Sequence, residues 1–153
     1  MEIELTYDRM GNRLRQIGST QIDYDKMGNR AKQFGSLELS YDKMGSRLRS
    51  IGDLSLDYDR LGTRATGLGP RKLEYDSTGS RLRSVGTIAI GYDRLGNRIS
   101  SIGPFNVKHD KLGSRPRWLQ SESFEGSLDA ETLVILFYIL AVHWPRWRSR
   151  HDD

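Results

Sequence analysis

Apolar and polar residues alternate along short segments that recur throughout the first 120 residues of the chain. The alternation has a period of two and ends at a tyrosine, as in residues 3–7, 37–41, 54–58 and 88–92. A period of two places successive side chains on opposite faces of an extended backbone. Each segment therefore predicts a β-strand with one buried and one exposed face.

The alternating segments belong to a unit of 17 residues that occurs seven times. One position of the unit is aromatic throughout: Tyr7, Tyr24, Tyr41, Tyr58, Tyr75, Tyr92 and His109. An aspartate follows directly, a glycine three residues later and an arginine two residues after that. A second glycine closes six units, and Gln120 stands there in the seventh. Four positions in register over about 115 residues define a tandem repeat.

Two turns are predicted in each unit. In Asp-x-x-Gly the aspartate can bond the backbone two residues on, and the glycine accepts a left-handed conformation without steric cost. The second glycine, with the residue after it, returns the chain to the next unit. The Asp-x-x-Gly turn residues are Asp8, Gly11, Asp25, Gly28, Asp42, Gly45, Asp59, Gly62, Asp76, Gly79, Asp93, Gly96, Asp110 and Gly113.

The repeat predicts a mainly β fold. No unit has room for a crossover helix, so the strands are expected to be antiparallel throughout. Residues 1–120 should form seven tandem 17-residue antiparallel β-hairpins that build a curved sheet or a barrel.

An odd period requires an odd loop or a bulge in each unit, because the tyrosines and leucines keep the same face. A bulge at the second glycine would set opposite charges across the strands on the outer face. A bulge at Asp-x-x-Gly would instead put Tyr and Arg on one face, where they could stack. We favour the first register, which predicts the cross-strand pairs Glu4–Arg15, Asp23–Arg30 and Glu38–Arg49.

The run Tyr-Asp-x-x-Gly-Asn-Arg, present at residues 7–13, 24–30 and 92–98, resembles the YD repeat of Rhs and teneurin-type proteins. The resemblance covers residues 1 to about 118 and implies concatenated β-hairpins. In that family the repeats wind into a shell around a toxin or other cargo, and they also serve adhesion and carbohydrate contact. The units here are shorter and more uniform, and no self-cleaving segment or toxin tail is found. The resemblance therefore implies the hairpin architecture without encapsulation of cargo.

The repeat is followed by a linker at 121–127, an apolar helix at 128–144 and a basic, aromatic tail at 145–153. Ser127 or Asp129 can cap the helix, and Pro145 is expected to end it. A helix that is apolar all round must be buried. We favour docking in the concave face of the sheet over burial at a membrane or in an oligomer, which both stay open.

Composition narrows the classes of function. The chain carries 24 basic and 20 acidic residues, a net charge of +4, and no cysteine. The interleaved signs are typical of a solvated surface and argue against nucleic-acid binding. The N-terminus lacks the pattern of a signal peptide, so we expect a cytoplasmic protein with a possible peripheral membrane location.

No motif points to catalysis. The three histidines show no metal-ligand spacing, and no Gly-x-x-x-x-Gly-Lys loop is present. We therefore expect no enzyme, no metal and no cofactor. The first hypothesis is a structural or interaction scaffold for a protein partner. The alternative is a peripheral membrane protein anchored by the helix and its flank, with candidate contacts Trp144, Arg146, Trp147, Arg148 and Arg150.

Overall fold

The chain forms fourteen strands followed by a helix. The structure, a computed structural model, describes residues 1–9, 13–26, 30–43, 47–77, 81–94, 98–111, 115–124 and 126–151, with backbone only at 148–151. Strands β1 to β14 are Glu2–Tyr7, Leu14–Ile17, Thr20–Tyr24, Ala31–Phe34, Leu37–Tyr41, Leu48–Ile51, Leu54–Tyr58, Ala65–Leu68, Arg71–Tyr75, Leu82–Val85, Ile88–Tyr92, Ile99–Ile102, Phe105–His109 and Pro116–Gln120. The helical segments are α1 (Ala130–Phe137), a π-helical segment (Tyr138–His143) and α2 (Trp144–His151).

The strands close into an antiparallel barrel in which neighbours in sequence are neighbours in space. The seam joins β1 to β14, with Glu2 opposite Gln120 and Glu4 opposite Trp118. Beside the seam the ammonium group of Met1 donates to the carbonyl of Ser121 at 2.7 Å. Closure leaves no unpaired strand edge. The predicted mainly β fold of tandem hairpins is confirmed.

The register differs from the one that we favoured. Ile17 pairs with Thr20, so Gly18-Ser19 is a two-residue loop, and the five equivalent connections are the same. The bulge lies at the Asp-x-x-Gly end, where Thr6 faces Gln16 and Tyr7 faces Leu14. The predicted pairs Glu4–Arg15, Asp23–Arg30 and Glu38–Arg49 are therefore wrong.

The physical reason is the loop chemistry. Two-residue loops match the twist of paired strands, and a leading glycine supplies their positive φ; Gly18 has φ 60°. Exposed cross-strand charge pairs are worth less than about 1 kcal/mol. The glycine loop therefore decides the register, and the surface charges do not.

The helix fills the barrel, as the favoured docking hypothesis requires. Residues 134–140 are buried in the same cluster as side chains from around the circumference, among them Leu5, Leu68 and Ile102. The ring of Phe137 stacks on Phe34 with centroids 4.6 Å apart. The apolar surface of the helix and the apolar face of the sheet thus bury each other.

The helix begins and ends differently from the sequence-based bounds. Asp129 caps it, since its Oδ1 accepts the backbone N–H of Thr132 at 2.8 Å. The helical conformation continues past Pro145 to His151, so the prediction that Pro145 ends the helix is wrong. Proline lacks an N–H and clashes with the carbonyl of the preceding turn. Here it is the second residue of α2 and follows π-helical backbone directly.

Hairpin loops crowd the two ends of the barrel. We call the end with the Asp-x-x-Gly loops the Asp rim, and the end with the two-residue glycine loops the Gly rim. Glu131, at the start of α1, accepts a hydrogen bond from Nε of Arg71 beside the Gly rim at 2.6 Å. Arg146 and Trp147, in α2, lie near Arg64 at the Asp rim. The helix therefore runs from the Gly rim to the Asp rim.

Candidate functional site

Ion pairs brace the loops of the Asp rim. In each loop the aspartate N–H donates to the carbonyl of the arginine five residues later, at 2.8 to 3.0 Å. In six loops the arginine Nε also lies 2.6 to 3.3 Å from Oδ2 of that aspartate: Asp8–Arg13, Asp25–Arg30, Asp42–Arg47, Asp76–Arg81, Asp93–Arg98 and Asp110–Arg115. These groups are part exposed, so each pair adds little stability alone. Their common role is to fix the arginine.

Five of these six arginines stack on the tyrosine of the next unit, and the sixth, Arg98, precedes the unit in which His109 takes that position. Arg13 lies 4.1 Å from the ring centroid of Tyr24. The series closes across the seam, where Arg115 lies 4.3 Å from the ring of Tyr7. Such contacts are attractive because the ring face is negative. The second register alternative, with Tyr and Arg on one face, is therefore the one observed.

The tyrosine hydroxyls tie adjacent hairpins together. The hydroxyl of Tyr24 donates to the carbonyl of Leu14 at 2.5 Å, and that of Tyr75 to Ala65 at 2.6 Å. Burial is the main cause that raises the pKa of Tyr24 and of Tyr75 to about 12. Both hydroxyls stay protonated donors at neutral pH. The repeated aspartates, arginines and tyrosines thus form a structural ring.

His109 takes the aromatic position in the seventh unit. Burial lowers its pKa, and the charge of Arg98 adds to that effect. Among the ring's described members it is the one aromatic residue without a phenol.

The fourth unit departs from the pattern. No ion pair joins Asp59 to Arg64, although both are described residues. Oδ1 of Asp59 instead accepts the backbone N–H groups of Thr63 and Arg64 at 3.0 and 3.4 Å. Gly62 has φ 76°, and its N–H donates to the carbonyl of Asp59 at 2.9 Å. Arg64 is exposed and stacks on Tyr75 at 4.5 Å.

A cavity of about 460 Å³ opens at this unit, between the wall and the end of the helix. Ala65 borders it at a position where Leu14, Leu48 and Leu82 stand in other units and Ala31 stands in the second, so a short side chain contributes to the space. The cavity is lined by Tyr58, Asp59, Thr63, Arg64, Ala65, Tyr75, Tyr138, Val142, His143, Arg146 and Trp147.

His143 is a neutral group in the cavity wall. Burial, followed by the charge of Arg146, lowers its pKa to about 4. Its Nε2 accepts the backbone N–H of Leu82 at 3.1 Å. The ring hydrogen of the neutral form is therefore on Nδ1.

The positive charge of Arg146 reaches the same cavity. Burial raises the pKa of Tyr58 and of Tyr138, and the charge of Arg146 offsets part of that rise. Sequence reasoning proposed the C-terminal arginines as contacts but did not detect this cavity. The short side chain of Ala65 in the fourth unit was the available signal.

The proposed partner-contact residues fall into three groups. Trp144 is 4% exposed and packs beside Tyr92, with ring centroids 6.0 Å apart, so it belongs to the core. Arg146 and Trp147 border the cavity. The side chains of Arg148 and Arg150 lie outside the described part of the chain, as do the turn residues Gly11, Gly28, Gly45, Gly79, Gly96 and Gly113.

The tips of the Asp rim carry exposed cations that sequence reasoning did not single out. The residue after each loop aspartate is exposed, and in six units it is basic: Arg9, Lys26, Lys43, Arg60, Arg94 and Lys111. Leu61, at the tip of the fourth loop, is 86% exposed. The seven loops from Asp to Arg hold thirteen basic and seven acidic residues, a net +6, whereas the whole chain is +4. Basic and acidic residues alternate along the sequence, but the fold concentrates the excess of basic residues at the Asp rim.

Searches of protein-family models, curated proteins and solved structures find no match to the chain. Within the described ranges no cluster of three His, Asp or Glu side chains could hold a metal ion. Of the helices in those ranges, none has the length and apolarity to cross a membrane.

Proposed function

We propose that the protein is a non-enzymatic scaffold that binds an acidic partner protein through the Asp rim. The observation that carries the proposal is the row of exposed cations at six of the seven loop tips. Each of these cations follows an aspartate whose backbone N–H is bonded to the carbonyl of the loop arginine. Complementary charge steers association and favours one docking face over others.

The filled interior supports a function on the outside of the molecule. Phe137 and its buried neighbours on the helix occupy the space that the strands enclose. A cargo of protein size has no room beside them. Kinship with YD-repeat proteins is likewise a proposal, and it concerns the hairpin unit and not encapsulation.

Leu61 gives the proposed interface an apolar contact. It is 86% exposed and follows the basic residue Arg60, itself exposed. Apolar side chains at the centre of a patch and charges around it are the usual anatomy of a protein interface.

A second candidate is binding to an anionic membrane surface at the cytoplasmic face. The same tips favour it, because each cation close to such a surface contributes about 1 kcal/mol. The apolar helix is buried in the barrel, so the rim rather than the helix would make the contact.

The experiment places a photo-crosslinking amino acid at Leu61 on the Asp rim, or at Asp53 on the Gly rim as a positional control. The protein is irradiated in an extract of the source cells. It is then compared with a rim variant, Arg9→Glu, Lys26→Glu and Lys43→Glu. A charge-matched control variant carries Lys32→Glu, Lys72→Glu and Lys108→Glu, all at exposed strand positions.

We expect protein adducts from position 61 that the rim variant loses and the control variant keeps. Equal adducts from both positions, or adducts that survive rim reversal, would overturn the proposal. If no protein adduct forms but the wild type floats with phosphatidylserine vesicles and the rim variant does not, the membrane candidate replaces the scaffold.

A further inference from the structure

We propose that the cavity at the fourth unit binds a small organic anion with a flat apolar body. The geometry rests on Arg64, on the aromatic walls and on the opening beside Ala65. This site is separate from the loop tips, and it does not depend on the partner of the Asp rim.

The first argument is the ion pair that is missing. Six loops join their arginine to their aspartate, so the arginine has an acidic partner within the wall. In the fourth loop the carboxylate of Asp59 turns to backbone N–H groups instead. Arg64 keeps its place over Tyr75, but no described carboxylate forms an ion pair with its guanidinium. Stacked on that ring, the guanidinium is a donor suited to a carboxylate or phosphate group.

The second argument is the shape and chemistry of the walls. A volume of about 460 Å³ is typical of small-molecule sites. Tyr58, Tyr138 and Trp147 give it aromatic surfaces on which a flat apolar group can pack. Their phenols add no negative charge, because burial raises the pKa of each tyrosine.

The third argument is the charge balance. Arg64 and Arg146 contribute two positive charges, and Asp59 contributes one negative charge, while His143 is neutral near pH 7. The charges of the side chains that line the cavity therefore sum to one positive charge. An anion is favoured over a cation of the same size, and it is expected on the side of the two arginines.

Binding is measured by titration calorimetry on the full chain with benzoate and with phenyl phosphate, which separate a carboxylate from a phosphate. Benzyl alcohol and benzylamine serve as neutral and cationic probes of similar size. We expect one or both anions to bind at one site. Each anion that binds should do so at least ten-fold more tightly than the neutral and cationic probes.

The repeat supplies matched variants. Arg64→Gln should weaken anion binding about ten-fold or more, whereas Arg30→Gln, at the same position of the second unit, should change it less than two-fold. Ala65→Leu should fill the cavity and abolish binding, while the equivalent Ala31→Leu should leave it unchanged. If one of the cavity variants does not fold by circular dichroism, the other pair decides.

Three results would overturn the proposal. The first is that neither anion binds. The second is that benzylamine binds as tightly as the anions, which would exclude the assigned charge class. The third is an equal loss in Arg64→Gln and Arg30→Gln, which would mean that net charge rather than this cavity governs binding.

Discussion

The backbone N–H of Leu82 in the barrel wall donates a hydrogen bond of 3.1 Å to Nε2 of His143 on the helix. The bond joins the helix to β10 and requires an unprotonated ring. Protonation would replace the acceptor by a second donor. The contact between helix and wall is therefore sensitive to pH.

We predict that the free energy of unfolding falls as the pH drops from about 6.5 to about 4. The pKa of His143 is about 4 when folded and about 6.5 when unfolded, so the unfolded chain takes up its proton first. Stability is complete above pH 6.5, declines between the two values, and His143 causes no further loss below pH 4. The size of the loss is about 3 kcal/mol at most.

The check is urea denaturation at a series of pH values, with a proton NMR titration of the folded protein. His143→Asn should reduce the slope of the curve between pH 6.5 and 5, above the range where most carboxylates titrate, and the slope that remains belongs to His109, whose pKa is also lowered. A normal pKa for His143 in the folded state would contradict the prediction.

A charge at the centre of the helix should unfold the protein. Leu136 is 1% exposed, and removing such a side chain alone costs about 2–5 kcal/mol. Leu136→Asp adds an unpaired carboxylate, so we expect a loss of at least about 4 kcal/mol, or aggregation. Leu61→Asp is the matched control, since Leu61 is 86% exposed. Circular dichroism and size exclusion give the readout, and a stable monomeric Leu136→Asp would be incompatible with a buried helix.

A tyrosine at position 109, so that all seven aromatic positions of the repeat carry a phenol, should stabilise the barrel. His109→Tyr would place a phenol above Arg98, with the carbonyl of Ile99 as the equivalent of the acceptors used by the six tyrosines. One cation–π contact is worth about 0.5–1 kcal/mol, whereas the hydrogen bond to Ile99 replaces one that His109 already makes. Thermal denaturation should show a higher midpoint, and the reverse change Tyr92→His a lower one. A lower midpoint for His109→Tyr would mean that the seventh position cannot hold the ring.

The glycines of the Gly rim should resist substitution. Gly52 has φ 57°, and a Cβ built there would lie 2.8 Å from Cδ2 of Leu37. Gly52→Ala should cost about 1–2 kcal/mol from left-handed strain and crowding. Thr66→Ala, at an exposed strand position, is the control. Equal midpoints in urea for the two variants would argue against the loop geometry.

The hairpins follow from the sequence because their signal is local. The spacing from Tyr7 to Tyr24 fixes the unit, and alternation within 17 residues fixes the buried face. Closure is different, because the pairing of Glu2 with Gln120 depends on the twist summed over fourteen strands. The sequence therefore left a curved sheet and a barrel as alternatives.

The register was predicted wrongly because two weak effects compete, the pairing of charges on the surface and the fit of the two-residue loop. Pairing Glu4 with Arg15 looked favourable, but such a pair on the surface is worth less than the fit of the loop at Gly18. The continuation of the helix past Pro145 was missed for a related reason. The π-helical backbone before it is set by packing inside the barrel, which no local pattern reports.

The candidate site was missed because it is an exception to the repeat. The pattern that the units share did not indicate that Asp59 and Arg64 form no ion pair beside the short side chain of Ala65. The rim charge was missed because alternation along the chain suggested mixing, whereas a period of 17 brings Arg9 and Lys26 to the same end. Differences between units, read against their fixed places in the hairpin, would have located the cavity.

The helix inside the barrel also limits the number of repeats that the barrel can contain. The diameter of a barrel grows with its number of strands, so each added hairpin would widen the lumen while the helix keeps its own width. Six units would crush Phe137 against the wall, and eight would leave it loose. Duplication or loss of a unit is the easiest change for a tandem gene segment. The packing of the helix against the wall, as in the contact between Phe34 and Phe137, opposes such a change. The width of the helix therefore favours an array of seven units.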